Sequence, residues 1–238
     1  MTGTQATTQL LATRWTPIVD QARPWQPPLL PTLVVAPHPD DEVLSTGGLI
    51  LRQRTRGAHV EVLAVTDGEA AYPEVTDLGP LRAGEQRGAL DILGVSADDT
   101  CRLGLPDGGV ASHEDALVEA IVARATNVGL IVAPWTSDHH TDHEACGRAA
   151  ERAAGMTQTP LVFGLFWTWH HADIDQVAKR RLVKVVLARH ERQARHRALQ
   201  QHRSQITADI AAVPVLSPIE LEPFTWNNEY YIPSDSGS

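Results

Sequence analysis

The run Leu33-Val34-Val35-Ala36 breaks off into Pro37-His38-Pro39-Asp40-Asp41-Glu42, and a segment of helical period, residues 43–56, follows without a linker. A short run that is apolar at every position is expected of a strand buried on both faces, because a half-exposed strand alternates. A strand passing directly into a helix opens a β-α unit, and the pattern recurs along the chain. Strand character is read at 59–66, 100–105, 128–134, 161–167 and 182–187, and helical character at 81–93, 114–125, 143–154 and 189–205. Gly57 and Gly94 stand where two of these helices should stop. Alternation of this kind predicts an α/β fold, Rossmann-like, with a mainly parallel sheet and helices on both faces.

No repeat and no low-complexity linker cuts the chain, so residues 1–238 are read as a single domain. Residues 1–31 look like an arm, with a short helix around Leu10, Leu11 and Trp15 and an extended stretch set by Pro24, Pro27, Pro28 and Pro31. Trp15 and Trp25 are costly to leave in water, so the arm is expected to pack on the body. Residues 216–238 carry no assignable motif, and 189–205 reads as one long basic helix, mostly a solvated face.

The net charge of −9 opposes a nucleic-acid binder that works by neutralising phosphates. Cys101 and Cys146 lie far apart without paired spacing, which indicates neither a disulfide framework nor a thiolate metal site. The N-terminal residues are polar and no window approaches a membrane span, so a cytoplasmic protein without a membrane span is expected. Dinucleotide binding is excluded on local grounds. The first β-to-α turn carries charge where a nucleotide fold needs bare backbone, and neither GxGxxG nor GxxxxGK[ST] occurs.

That charged turn lies at the carboxyl end of a strand, where open α/β sheets bind ligands. His38 and Asp41 are three residues apart with Pro39 between them, so both side chains can meet at one point. An imidazole and a carboxylate suit a borderline cation such as Zn²⁺, and a catalytic site leaves one position open for water. Two ligands are too few, and the obvious donor of a third is Asp138-His139-His140-Thr141-Asp142-His143, after the buried strand at 128–134. Two clusters of ligand-type residues at the same edge of one sheet point to a metal centre.

The stretch Ala36-Pro37-His38-Pro39-Asp40-Asp41-Glu42 resembles the (A)HPDDE signature of the PIG-L/LmbE-like family of zinc-dependent N-deacetylases, and His140-Thr141-Asp142-His143 resembles its HxDH motif. Arg82-Ala83-Gly84-Glu85, Leu103-Gly104-Leu105-Pro106-Asp107-Gly108 and His202-Arg203-Ser204-Gln205 extend the likeness over residues 32–206. One departure is the Pro37 inserted before the first ligand.

The resemblance implies a metal-dependent hydrolase that removes acetyl from an N-acetylglucosamine-type amino sugar conjugate, a small-molecule partner. It implies that His38, Asp41 and His143 hold Zn²⁺, with Fe²⁺ as the alternative, and that Asp40 is the general base toward a metal-activated water. His140 is implied to stabilise the oxyanion as imidazolium and to protonate the departing amine, with Asp142 orienting an imidazole. Arg82, Asp107 and His202 are candidates for substrate binding, and Trp167 or Trp169 for stacking on a sugar ring. Glu42 needs no more role than an acidic residue in a first helical turn. Three alternatives stand beside this reading: an amidase acting on a larger amide such as a thiol conjugate, a non-catalytic sugar-binding protein, and a phosphoesterase, which would want more carboxylates around two metals. The oligomeric state is left open, a homo-oligomer being compatible with the sequence.

Overall fold

The computed structural model describes residues 11–234. Residues 1–10 of the expected arm, with Leu10 of its short helix, and residues 235–238 of the unassigned tail lie outside the described residues. The first half of the chain forms α1 (Leu11–Val19), β1 (Arg23–Pro24), β2 (Thr32–Ala36), α2 (Asp41–Thr55), β3 (Val60–Ala64), α3 (Leu78–Leu93), β4 (Thr100–Arg102) and α4 (Glu114–Ala125). The second half forms β5 (Leu130–Pro134), α5 (Thr141–Thr157), β6 (Leu161–Gly164), α6 (Thr168–His171), α7 (Ile174–Ala178), β7 (Val183–Val186), α8 (Arg189–Leu199), α9 (Arg203–Ile206) and β8 (Asn228–Pro233).

One sheet of the described residues runs in the order β1-β7-β8-β6-β5-β2-β3-β4. Every neighbouring pair is parallel except those made by β8, which lies antiparallel to both β6 and β7. The central strands are covered on both sides, as their uninterrupted apolar sequences require. Leu33 and Val35 of β2 join Ile131 and Ala133 of β5 against α4 and α5. Val34, Ala36, Leu130 and Val132 face α2, α3 and α8. From β2 the chain steps outward to β3 and β4, then returns to place β5 on the other side of β2. The crevice between the carboxyl ends of β2 and β5 is therefore the topological switch point, where such sheets bind ligands.

The arm packs through α1. Trp15 is fully buried, donates its indole N–H to the Trp169 carbonyl at 2.7 Å and meets the Trp169 ring edge-on at 5.2 Å. Trp169 is thus a core residue, which removes it as a sugar platform.

Two expectations for the second half need correcting. Residues 189–205 are not one solvated helix. They form α8 and α9 with a break between them, and Glu191, Ala194, Arg195, Ala198 and Leu199 make a buried stripe against α2 and α3. The stripe has helical spacing, but two of its five members are charged, which hides it from an apolar-periodicity reading. Each buried charge is matched: Arg52 reaches Glu191 through two bonds of 2.7 and 2.5 Å, and Arg195 lies 3.2 Å from Glu229. The stretch after 216 holds β8, whose central residues Glu229, Tyr230, Tyr231 and Ile232 are all buried. Its short apolar run, Tyr230 to Ile232, is flanked by Glu229 and Pro233, and it becomes a strand only by filling the gap between β6 and β7.

Candidate active site

Strand β2 ends at Ala36, and the Pro37 carbonyl is tied down by the Thr66 amide and hydroxyl at 3.0 and 2.8 Å. The chain then turns through Pro39 and Asp40 into α2. Its neighbour β5 ends at Pro134, and the loop from Trp135 leads into α5. Gly147 allows this second helix to sit close to its own strand: a Cβ there would come within 2.7 Å of the Pro134 carbonyl. Both helices therefore start at the crevice, α2 behind Asp40 and α5 behind His140, the residues in their N-cap positions.

Three ligand-type atoms converge between these ends. Asp41 Oδ2 lies 3.2 Å from His38 Nδ1 and 3.2 Å from His143 Nε2. The His143 Nε2 atom is buried and forms no hydrogen bond, so the 3.2 Å approach to Asp41 lacks bonding geometry. Four-coordinate Zn²⁺ with bonds of roughly 2.0–2.1 Å sets its ligands about 3.4 Å apart, close to these separations. His38, His140 and His143 also place one ring nitrogen each within 4.8 Å of one another. The donor set, two imidazoles and a carboxylate around an unpartnered nitrogen, fits a metal of the zinc type.

Further carboxylates hold the imidazoles from behind, as metal-ligating histidines require. Asp138 Oδ2 takes the His143 Nδ1–H at 2.8 Å. Asp138 is fully buried and also accepts from the amides of Phe166, Trp167 and Thr168 and from the Thr168 hydroxyl. It was one of two aspartates in a polar loop, and residue type did not separate it from Asp142. A sequence signal would have been its position five residues before a candidate ligand on the same loop. The His38 Nε2 atom lies 3.3 Å from Asp142 and 3.2 Å from Asp107, so Asp142 does face an imidazole. Asp142 accepts as well from the Gly108 and Val110 amides at 2.7 and 3.2 Å.

The charges respond to this packing. Burial disfavours the imidazolium of His38 and His143, yet the surrounding carboxylates win and raise both, His143 to about 9. For Asp41, burial works against the charge, but the adjacent His143 and His38 hold the carboxyl well below its usual range. Asp40 goes the other way. Burial and the neighbouring Asp41 charge push it well above the ordinary carboxylate range. It also departs from the usual behaviour of an N-cap aspartate: its side chain accepts no capping hydrogen bond, and its backbone sits at φ 147°, ψ −27°. That conformation is strained for any residue with a Cβ.

His140 corrects one expectation. Burial, reinforced by His143 and His38, pushes its ring down to about 4, and its Nδ1 accepts the Asp142 amide at 3.3 Å. The ring is therefore neutral, with its proton on Nε2, and not an imidazolium.

A cleft of about 290 Å³ opens over these groups, and His38, Asp40, Asp107, Arg82, His140 and Trp167 are among the residues that line it. Arg82 is almost wholly buried, donates one N–H to the Gly68 carbonyl at 2.8 Å, and leaves Nε and Nη2 without partners. Trp167 lies nearly parallel to His140, 20° apart with centroids at 6.4 Å. His202 is not at the cleft. It is fully buried, with Nε2 3.9 Å from Glu42 Oε1, and it is Gln205 of the same segment that reaches the cleft wall. Glu85, three residues from Arg82, accepts instead from the Ser204 amide and hydroxyl. Among the described residues no helix is long and apolar enough to cross a membrane.

The 1D-myo-inositol 2-acetamido-2-deoxy-alpha-D-glucopyranoside deacetylase of Rhodococcus jostii (strain RHA1) is 33% identical, over 57% of this chain and 60% of that protein. The chain thus matches about 60% of the length of this and a second curated relative. A solved structure of a conserved protein of Thermus thermophilus is similar with a TM-score of 0.62 and 26% identity, covering 85% of this chain and 94% of that one. The N,N'-diacetylchitobiose deacetylase of Pyrococcus horikoshii shares the fold with a TM-score of 0.63 at 19% identity, over 86% of this chain and 84% of that chain. The family model described as PIG-L, GlcNAc-PI de-N-acetylase, matches residues 33–154, more than half of the chain, and places this protein in the PIG-L family.

Proposed function

We propose that this protein is a metal-dependent amide hydrolase that removes acetyl from an N-acetylglucosamine-type conjugate. The observation that carries the reading is the meeting of His38 Nδ1, Asp41 Oδ2 and His143 Nε2 beside an Asp40 that forgoes its capping role. His38, Asp41 and His143 would hold Zn²⁺ or Fe²⁺, and a bound metal of this kind acidifies water and polarises a carbonyl.

The chain's own residues account for the remaining chemistry. Asp40, whose elevated proton affinity suits a base working near neutrality, takes the proton from the attacking water. Its carboxyl then returns that proton to the amine nitrogen as the C–N bond breaks, so acetic acid and a neutral amine leave, and the acid gives up its proton to solvent. His140, neutral with its Nε2–H free, donates to the carbonyl oxygen as negative charge develops there. Arg82, which lines the cleft, binds hydroxyls of the sugar, and the half-buried face of Trp167 supplies a stacking surface. The substrates after which two of the similar proteins are named, an acetamido glucoside of inositol and diacetylchitobiose, share the acetylated glucosamine unit.

The test is a screen of metal-loaded protein for freed amines. It covers N-acetylglucosaminyl inositol, other N-acetylglucosaminides and N-acylated thiol conjugates, with kcat/KM compared across the panel. Release from the glucosaminides above all others is expected. Fully metallated protein that frees no amine from any of them would refute the reading, and preference for the thiol conjugates would redirect it to larger amides.

Two further outcomes follow from the imidazoles. At neutral pH the metal-free site keeps both ligand histidines protonated, so metal must displace those protons. Apparent affinity should rise by about tenfold per pH unit for each proton lost, the contribution of His143 levelling off near pH 9, where it releases its proton unaided. Titration calorimetry in buffers of different ionisation heat measures the protons released; none released at pH 7 contradicts the assignment. Replacing Asp138 by Asn exchanges the carboxylate behind the His143 Nδ1–H for a neutral amide and should weaken metal binding by about 10- to 100-fold. Competition with a chromophoric chelator measures it.

A further inference from the structure

Behind the turn at 37–41 lies a group of polar side chains that the reaction does not use. Glu42 Oε2 accepts the Asp40 backbone N–H at 3.3 Å and the Gln86 side-chain amide at 3.0 Å. Gln86 is held in that orientation by Arg102, which donates to its oxygen at 2.7 Å and is itself paired with Asp67 at 2.6 Å. From the other side, the Gln205 amide donates to the Pro39 carbonyl and lies 3.4 Å from His202 Nδ1. His202 Nε2 and Glu42 Oε1 face each other at 3.9 Å, both buried and without another partner among the described residues. The peptide unit joining Pro39 to Asp40 is thus gripped at its carbonyl from α9 and at its amide by Glu42 in α2.

The residue so gripped is the one in the strained conformation. Asp40 has an ordinary alternative open to it: an extended backbone with its carboxylate capping the first turn of α2, where the Asp41 and Val43 amides now bond to the His38 and Asp40 carbonyls. In that conformation the carboxylate is spent on the helix and is lost to the cleft. Local preference therefore favours a capping aspartate, and something tertiary has to hold the other state, as strain at a functional position requires.

We propose that Glu42, Gln86, His202 and Gln205 form a brace that keeps Asp40 out of its helix-capping conformation and so presents its carboxylate to the cleft. These are positioning residues, acting through Asp40, and the proposal rests on the reading of Asp40 as general base. It gives Glu42 a task beyond that of an acidic first-turn residue, and gives His202 one away from substrate.

The test uses the full, metal-loaded chain. Glu42→Ala should lower kcat by about 10- to 100-fold, the usual consequence of a small misplacement of a catalytic group, with KM and metal content unchanged. Glu42→Gln should restore kcat to within about threefold, since its amide oxygen accepts the same two bonds. Gln205→Met, which keeps the volume and removes the donor, should repeat the loss and serves where Glu42→Ala folds poorly. In an Asp40→Asn background Glu42→Ala should cost nothing more, because a brace acting only through Asp40 has nothing left to position. Independent losses that multiply in the double variant would overturn the proposal, as would a Glu42→Ala enzyme with normal kcat.

A crystal structure of Glu42→Ala supplies the readout apart from activity. Asp40 at negative φ with its carboxylate on the first-turn amides is expected, and Asp40 unmoved at φ near 147° overturns the brace. Asp40→Asn alone decides the general-base reading, so the two can fail separately.

Discussion

Asp40→Asn is expected to lower kcat by about 10²- to 10⁴-fold, the range that a positioned base contributes, while the protein keeps its metal and its stability. The substitution is close to isosteric and removes only the ability to take a proton. The site should tolerate it structurally for two reasons. Asn is, with Asp, among the side chains that best accept positive φ, so the backbone at 147° is no worse served. The Asp40 side chain makes no capping bond, so the start of α2 loses nothing. The metal groups His38, Asp41 and His143 are untouched, which separates loss of the base from loss of the ion. Steady-state kinetics, metal analysis and thermal denaturation on one preparation measure all three. Turnover within a few-fold of the parent would show that the proton goes elsewhere.

Glu229→Ala is expected to be the most damaging single change to the fold, lowering stability by about 3–5 kcal/mol. Glu229 is buried between α2 and α8, where it receives the Gly48 and Leu49 amides at 2.6 and 2.9 Å, the Tyr231 hydroxyl at 3.0 Å and Arg195 at 3.2 Å. Gly48 is what admits the carboxylate so near the helix, since a Cβ there would collide with the Leu187 side chain and stand 3.0 Å from Glu229. Truncation leaves the Arg195 guanidinium buried with only the Phe224 carbonyl and the face of the Phe224 ring, 4.1 Å from its centroid. An uncompensated buried charge is the costly event, so Arg195→Met added to Glu229→Ala should recover part of the loss. With total stabilities of about 5–15 kcal/mol, the single variant should be close to unfolding at ambient temperature. Urea denaturation of the parent, single and double variants measures this, and a loss under about 1 kcal/mol for Glu229→Ala would show that water reaches Arg195.

The parts of this protein legible in its sequence are those specified by neighbours along the chain. The buried strands at Leu33 and Ile131 were readable because a run that is apolar at every position can be satisfied only between two layers of helix. The stop of α3 at Gly94 was readable because the residue there adopts the left-handed conformation, φ 81°, that glycine accepts without cost. The charged turn and the histidine loop announced themselves by residue type at two strand ends, and parallel pairing of β2 with β5 sets those ends side by side.

What the sequence could not supply depends on groups distant in the chain. Acidic and imidazole side chains crowd residues 138–143, and only folded geometry distinguishes Asp138, which anchors His143, from Asp142, which faces His38. The neutrality of His140 is a property of burial beside two cationic neighbours, and no local pattern encodes it. The motif at 202–205 offered His202 to substrate, but the break after α8 turns it inward toward Glu42. Strand β8 exists because β6 and β7 leave a place for it. Residue type and spacing along the chain therefore determined the α/β architecture and brought the turn at 37–42 and the loop at 138–143 to one crevice. Tertiary structure alone decided their protonation, their partners and the strained backbone of Asp40, because burial, charge pairing and strain are fixed by contacts between segments remote in the chain.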